Sequence, residues 1–356
     1  MNIIQKMTFK QIKKFACEEI TYKYDSELDL RFILIAHNTL MNEKVNGGIR
    51  MKGYKNEDEA LEDGLKLAQA MTFKNIIFDL PWGGGKAVIV GNPKKTKKFL
   101  HKIGEFVESF KGKFQTTIDM GFTDKDAQII SEKTEYVDSL DPSFKKGCLG
   151  PSSIGTGIGI AEAIRVAVKK VYDQNLSNKI VVIQGLGRVG SVAAAELIKQ
   201  GAVVIGSDTN KQAVRKARKI GVKIVPPAKI FSTKCDVFSP CAAGDILNKH
   251  SVKKLKCQII AGGANNQLES PRIAKILERK KILYIPDFVA NSGGMLQSQC
   301  EYDGKTIKQA HQYVTKRIAQ MVSLILNEAD KKKKLPVEIA EKMVNDKIKI
   351  LKRKKS

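Results

Sequence analysis

Residues 179–208 read KIVVIQGLGRVGSVAAAELIKQGAVVIGSD, and this stretch decides how the chain folds. Apolar and amide residues up to Gln184 form a strand, and Gly185-Leu186-Gly187-Arg188-Val189-Gly190 follows without a gap. The small apolar residues after it read as a helix, and a second strand ends on the carboxylate of Asp208. A GxGxxG string alone says little; strand before, helix after and an acid closing the next strand give it a structural context. Gly185 permits the tight turn, Gly187 lets a pyrophosphate approach the backbone, and Gly190 lets helix and strand pack closely. The unpaired N–H groups at the helix start, around Arg188 and Val189, then face the phosphates of a dinucleotide. Asp208 is suited to accept hydrogen bonds from an adenosine ribose diol and to repel a 2′-phosphate, so the expected cofactor is NAD.

Outward from this unit toward the C-terminus, strands are expected at KIVP, CDVFSP, QIIAGG and ILYIP, separated by helices, with a further helix over 156–172 before it. Strands alternating with helices imply a parallel, doubly wound sheet. The last 50 residues read as two long helices broken around Lys334-Leu335-Pro336. Toward the N-terminus, RFILIAHN (31–38) reads as a strand and 57–74 as an amphipathic helix ending at Lys74. Ile76-Ile77-Phe78 and Ala87–Val90 are expected as short strands flanking a PWGGG loop. A helix over about 97–110 precedes FQTTI (114–118), a strand that delivers Asp119 at its C-terminal end. The fold class is therefore α/β in two domains. Residues 1–148 form the first, with the C-terminal helices (about 330–356) available to pack back on it, and 149–330 form a Rossmann-type NAD-binding domain.

Bulk properties narrow the function classes. The 356 residues carry 42% apolar side chains and a net charge of +25, with 62 basic residues. Only ten of those are arginines, whereas phosphate and base recognition favours Arg forks. Lysines are spread along the chain, with dense runs only at 331–334 and 351–356, so no specific nucleic-acid binding is expected. No apolar run reaches the length of a membrane span and no secretory signal stands at the N-terminus, so the expectation is a cytoplasmic protein. Six scattered cysteines and four histidines show no metal-ligand spacing, so reduced thiols and no metal are expected.

The chemistry is suggested by Lys74 and Lys86, twelve residues apart in MTFKNIIFDLPWGGGKAVIVGNP. Glycine lacks a Cβ and lets backbone approach a ligand, and a desolvated ammonium loses proton affinity and becomes a base. One lysine held charged for a carboxylate, with a second tuned toward neutrality, suits chemistry on an amino acid. Taken alone, the segment is equally a Gly-rich turn with an incidental lysine.

Together NGGIRM (46–51), MTFKN, GGGKAVIVG, TTIDMG, GTGIGI, GLGRVG, CDVFSPCAAG, AGGANNQL and PDFVANSGG cover nearly the whole chain. This set resembles the glutamate/leucine/phenylalanine/valine dehydrogenase family, and most of all its leucine branch. The resemblance implies an N-terminal substrate and oligomerisation domain, a Rossmann domain, and a cleft between them that closes to exclude water. It implies reversible oxidative deamination of an L-amino acid to a 2-oxo acid and ammonia, in a homo-oligomer for which an octamer is one form. Carried to matching positions, Lys74 holds the substrate carboxylate, and Lys86 is the general base, helped by Asp119. Gly47 and Gly48 leave room for the amino acid. Thr156 touches the nicotinamide carboxamide, Ala264, Asn265 and Asn266 wrap the cofactor, and Asn291 binds substrate near the nicotinamide ribose.

Several positions depart from the pattern. Asn46 stands where the leucine branch has an apolar residue and the glutamate branch a lysine. Pro81-Trp82 looks like the glutamate branch, Gly85 and Ala87 like the leucine branch. Ile118 and Phe122 add bulk beside Asp119, where polar residues are usual. An apolar, branched-chain substrate is the first expectation. A polar, acidic or aromatic amino acid is the second, and a catalytically weak NAD-binding or nucleic-acid-binding homologue the third.

Overall fold

The computed structural model describes residues 7–355. The chain divides into two compact units, one running to Gly150 and taking up the residues from Val344, the other spanning Pro151–Met343.

The first unit is built on a five-stranded mixed sheet. Its strands are β1 (Glu19–Asp25), β2 (Leu30–Asn38), β3 (Val45–Arg50), β4 (Gly83–Ile89) and β5 (Phe114–Ile118), in the order β1-β2-β4-β3-β5. β2 runs antiparallel to β1 and β4, while β3 is parallel to both β4 and β5. Alternation along β2 and β4 supplies apolar residues to both faces. Ile33, Ile35 and Val88 meet Ala60, Leu61, Leu65 and Ala68 of the helix Glu57–Ile77 on one face. Phe32, Leu34, Ala87 and Ile89 meet Phe99, Ile103 and Val107 of the helix Lys97–Glu108 on the other. Asn56 caps the first of these helices by accepting from the Glu59 N–H, and three acids follow in its first turn, where the helix dipole favours them.

The structure departs from two local expectations. Ile76 and Ile77 are not a strand: the helix runs through Ile77, and Asp79, in the left-handed region at φ 56°, turns the chain away. Nothing between Lys74 and Phe78 stops a helix, and both isoleucines are buried on its inner side. The glycines are not a loop either; Gly83-Gly84-Gly85 open β4 and are buried. A Cβ on Gly84 would lie 2.2 Å from the Thr72 nitrogen and 2.4 Å from the Ala68 oxygen. Glycine is required there because the helix backbone rests directly on the strand.

The second unit holds a six-stranded sheet in the order β11-β10-β9-β6-β7-β8, with every neighbouring pair parallel. Its strands are β6 (Ile180–Gln184), β7 (Val203–Ser207), β8 (Lys223–Ile224), β9 (Val237–Pro240), β10 (Ile259–Ile260) and β11 (Leu283–Tyr284). From β6 the chain winds outward through β7 and β8, then restarts on the other side at β9. The carboxyl ends of β6 and β9 thus flank the topological switch point, where open α/β sheets bind ligands. The long helix Ile307–Lys332 stops at Lys333, whose φ of 49° is left-handed, and Pro336 opens the last helix, Pro336–Lys355. The far end of that helix belongs to the first unit, where the Lys347 ammonium meets Asp79 at 2.7 Å.

Lysines of the dense 331–334 run are used locally: Lys331 and Lys332 pair with Glu328 at 3.6 and 2.5 Å. All six cysteines are free thiols. Among the described residues no helix is long and apolar enough to cross a membrane, and no cluster of three His, Cys, Asp or Glu is placed to hold a metal ion.

Candidate active site

Side chains two apart on a strand share a face, so Asn46, Gly48 and Arg50 of β3 point with Gly84 and Lys86 of β4. The register aligns Ile49 with Ala87, hence Gly48 with Lys86, and Gly48 with Thr117 on the other side. Asp119 follows β5 on the same face. Lys86 Nζ reaches across Gly48 to Asp119 Oδ2 at 2.5 Å. A Cβ on Gly48 would sit 3.0 Å from the Asp119 Cβ and 3.2 Å from Lys86 Nζ, so the glycine makes room for this ion pair. Gly47 faces the other way, where a Cβ would lie 1.8 Å from the Gly85 oxygen. Gly48→Ala is expected to push the pair apart and lower kcat/KM about a hundred-fold. Circular dichroism and kinetics on the variant check this; wild-type kinetics would contradict it.

The pair is held asymmetrically. Lys86 is 5% exposed, and burial pushes its ammonium below the ordinary lysine range; Asp119 opposes the shift and the Arg50 cation adds to it. Burial alone would favour the protonated form of Asp119, but Lys86 and Arg50 overcome it and hold the carboxyl well below the usual range. Arg50 Nε donates to the same Oδ2 at 2.8 Å. Asp119 therefore stays anionic at neutral pH, and Lys86 is the member poised to give up a proton. Arg50 is a residue that the sequence reading missed. Its signal was its place two residues beyond Gly48, on one face of one strand.

Lys74 lies in the last turn of the helix Glu57–Ile77, rather than at its very end, and is 7% exposed. Beside it, the Asn75 amide nitrogen donates to Gly83 O at 3.0 Å and to Asn46 Oδ1 at 2.8 Å. The Gly83 carbonyl thus fixes the Asn75 amide, which in turn claims the oxygen of Asn46. Ile118 and Phe122 do not crowd Asp119. Both pack into the apolar cluster around Phe99 and Ile103, on the opposite face of the sheet. Trp82 is buried, 7% exposed.

In the second unit, Gly185 has φ +95°, and a Cβ on Gly190 would lie 2.0 Å from the Gly185 oxygen. Gly187 caps the helix Arg188–Lys199 with no side-chain acceptor, and a Cβ on it would meet nothing within 4 Å. That open space lies before the first N–H groups of the helix, around exposed Arg188 and half-buried Val189. Asp208 follows β7; its Oδ2 accepts the Leu186 N–H at 2.7 Å and its Oδ1 the Asn210 N–H at 2.8 Å. The acid therefore braces the glycine turn and stays beside it.

The loop after β10 carries Ala264, Asn265 and Asn266, the last at φ 51°. Gln267 Nε2 ties this loop together through Gly262 O and Ala264 O at 2.9 and 3.0 Å. Asn291 is 5% exposed and donates to Asn265 Oδ1 at 2.9 Å. Thr156, one turn into the helix Ser152–Tyr172, donates to Ser152 O at 2.9 Å. Gln184 Oε1, Ser207 Oγ and Asn291 Oδ1 are buried and have no hydrogen-bond partner among the described residues. The first two stand at the carboxyl ends of β6 and β7. An open helix terminus, a braced acid and orphaned polar atoms fit a dinucleotide cofactor.

Comparison with known proteins agrees. Residues 151–223 and 208–351 match the family described as glutamate/leucine/phenylalanine/valine dehydrogenase, and residues 13–136 match its dimerisation domain. The chain belongs to this family. Leucine dehydrogenase of Thermoactinomyces intermedius is 36% identical over 98% of this chain and 95% of its own length. Phenylalanine dehydrogenase of Lysinibacillus sphaericus is 38% identical over 88% of this chain and 83% of its own. The crystal structure of L-tryptophan dehydrogenase from Nostoc punctiforme superposes with a TM-score of 0.76 at 32% identity, covering 97% of this chain and 99% of that one. The chain is an amino-acid dehydrogenase with the two-domain α/β architecture of the family, whose members use NAD or NADP. Relatives named for leucine, phenylalanine and tryptophan leave the preferred amino acid to the residues of this chain.

Proposed function

We propose that this member of the family carries out reversible, NAD-dependent oxidative deamination of an apolar, branched-chain L-amino acid, giving the 2-oxo acid and ammonia. The Lys86–Asp119 pair carries the reading. A buried lysine whose proton affinity is lowered is a suitable base, and an ionised carboxylate against it gives the proton a next stop. Lys74, charged, holds the substrate carboxylate. Lys86, once neutral, takes a proton from water as that water adds to the imino carbon, and Asp119 relays protons to and from the departing amine. Bound NAD supplies the acceptor for the hydride that leaves the substrate Cα.

Gly185, Gly187, Arg188, Val189 and Gly190 hold the pyrophosphate, and Asp208 the adenosine ribose. Thr156, Ala264, Asn265 and Asn266 surround the cofactor, and Asn291 binds substrate near the nicotinamide ribose. A carboxylate at 208 disfavours a 2′-phosphate, which supports NAD over NADP. The match to a dimerisation domain supports a homo-oligomer built through the first unit, with an octamer as one candidate, and the sequence expectation of a cytoplasmic protein is kept as part of the proposal. Initial rates over a panel of L-amino acids, with NAD and NADP compared, test the proposal. The highest kcat/KM is expected for leucine, valine or isoleucine with NAD; a maximum on a charged amino acid, or with NADP, contradicts it.

One observation favours a polar substrate instead. Asn46 Oδ1 is claimed by Asn75, which leaves the Asn46 amide nitrogen as a donor on the site face. A site with an unanswered donor discriminates against a hydrocarbon side chain. Asn46→Leu is therefore expected to raise the ratio of kcat/KM for leucine over glutamine about ten-fold. An unchanged ratio would remove Asn46 from substrate selection.

A further inference from the structure

Arg50 is held on two sides. Its Nε donates to Asp119 Oδ2 at 2.8 Å and its Nη1 to Asp63 Oδ2 at 3.3 Å, and its side chain is 11% exposed. Asp63, on the helix Glu57–Ile77, is itself fixed. The Tyr54 hydroxyl donates to its Oδ2 at 2.7 Å, and the Lys52 ammonium stands 3.6 Å away. A continuous line of hydrogen bonds thus runs Tyr54–Asp63–Arg50–Asp119–Lys86.

At the Asp119 end, both cations converge on one atom. Lys86 Nζ and Arg50 Nε each donate to Oδ2, at 2.5 and 2.8 Å. Among the described residues no group donates to Oδ1, although the side chain is 29% exposed. We infer that Arg50 is a positioning residue that divides the labour of the Asp119 carboxylate, holding Oδ2 so that Oδ1 faces the substrate and exchanges protons with it. The inference rests on the deamination reading above and adds a residue to it.

The need for such a residue follows from the chemistry of the pair. The carboxylate torsion is broad and roughly two-fold, so the two oxygens interchange unless one is pinned. Lys86 cannot pin it throughout, because it is the group that loses its proton, and a neutral amine is a weak partner for a carboxylate. Guanidinium does not deprotonate in the working range and presents its donors in a rigid fork. With one prong on Asp119 and another on Asp63, Arg50 keeps Oδ2 engaged while Lys86 is neutral. Its charge also disfavours a proton on Lys86, so one side chain both orients the acid and tunes the base.

Arg50→Met removes charge and fork with little change in volume. In pH profiles of kcat/KM for amino-acid oxidation, the limb that reports Lys86 is expected to move to higher pH. At pH 7 kcat/KM should fall about ten-fold to a hundred-fold. NAD affinity should be unchanged. A role confined to structure would lower thermal stability and leave the limb in place, and that result overturns the inference. Should Arg50→Met not fold, Arg50→Lys decides, because it keeps the charge and loses the fork. It should hold the limb near its wild-type position with kcat about ten-fold lower; wild-type kcat would count against the inference. Competitive acetylation of Lys86 as a function of pH, read by peptide mass spectrometry without substrate, gives the same midpoint independently of turnover. If wild-type enzyme turned over no amino acid, the deamination reading would fail. The acetylation midpoint, rising in Arg50→Met or not, would still judge whether Arg50 tunes Lys86.

Discussion

Lys86→Ala is expected to abolish NADH formation from every L-amino acid, with kcat falling about ten-thousand-fold at any pH. The loss is expected because Lys86 Nζ sits 2.5 Å from Asp119 across Gly48, and Arg50, the other cation on Asp119 Oδ2, cannot act as a base. NAD affinity should survive, since the residues proposed to hold the dinucleotide all lie in the other unit. Stability should suffer modestly. The variant removes a buried ammonium and leaves Asp119 with Arg50 as its counter-charge. Equilibrium NAD titration beside stopped-flow turnover checks both halves. Residual turnover within ten-fold of wild type would mean that the base lies elsewhere.

Asp119→Asn should have the second-largest effect, with a signature that separates it from the first. Removing the carboxylate leaves two cations, Lys86 and Arg50, side by side without their shared partner. The attraction that kept the proton on Lys86 disappears while the repulsion from Arg50 remains. The sign is therefore definite. Lys86 binds its proton more weakly, and the limb of the pH profile that reports it moves to lower pH. The rate is nonetheless expected to fall, by about a thousand-fold, because Asn cannot accept the proton that Asp119 is proposed to relay. A lower plateau reached at lower pH is the expected profile. A limb moving to higher pH would contradict the electrostatic account, and an unchanged plateau would remove Asp119 from the proton path. Arg50→Met moves the same limb the other way, so the two variants calibrate each other.

Legibility in the sequence followed the range of the interactions. GLGRVG is readable because its context is local, with β6 immediately before it, a helix immediately after, and Asp208 directly following β7. The strand that delivers Asp119 was readable for the same reason. The glycine triplet is not legible from local sequence. Three glycines after Pro81-Trp82 carry the local signature of a turn, whereas their reason is the backbone of Ala68 and Thr72 resting on Gly84. An apolar Ile-Ile-Phe run fits a short strand as well as a buried helical end, so the local sequence does not show the helix continuing through Ile77. Ile118 and Phe122 looked like neighbours of Asp119 in the chain, yet strand alternation and the turn after β5 send them to the opposite core. Arg50 and the Asn46–Asn75 pair escaped because their partners come from other strands and from the helix, 69 residues away for Arg50 and Asp119 and 29 for Asn75 and Asn46. Side-chain pairings between elements set the tuning of this site, and they have no local pattern.

What the Lys86–Asp119 pair does to an amino acid is the central question for this protein. The most direct measurement is product stoichiometry with purified wild-type protein and NAD at alkaline pH, with branched-chain, aromatic and polar L-amino acids tried in turn. For at least one of them, one NADH, one ammonia and one 2-oxo acid should form per amino acid consumed, and Lys86→Ala should form none of the three. Tight NAD binding with no amino-acid-dependent NADH from any of them would contradict the account and leave the chain a cofactor-binding relative that has lost the reaction.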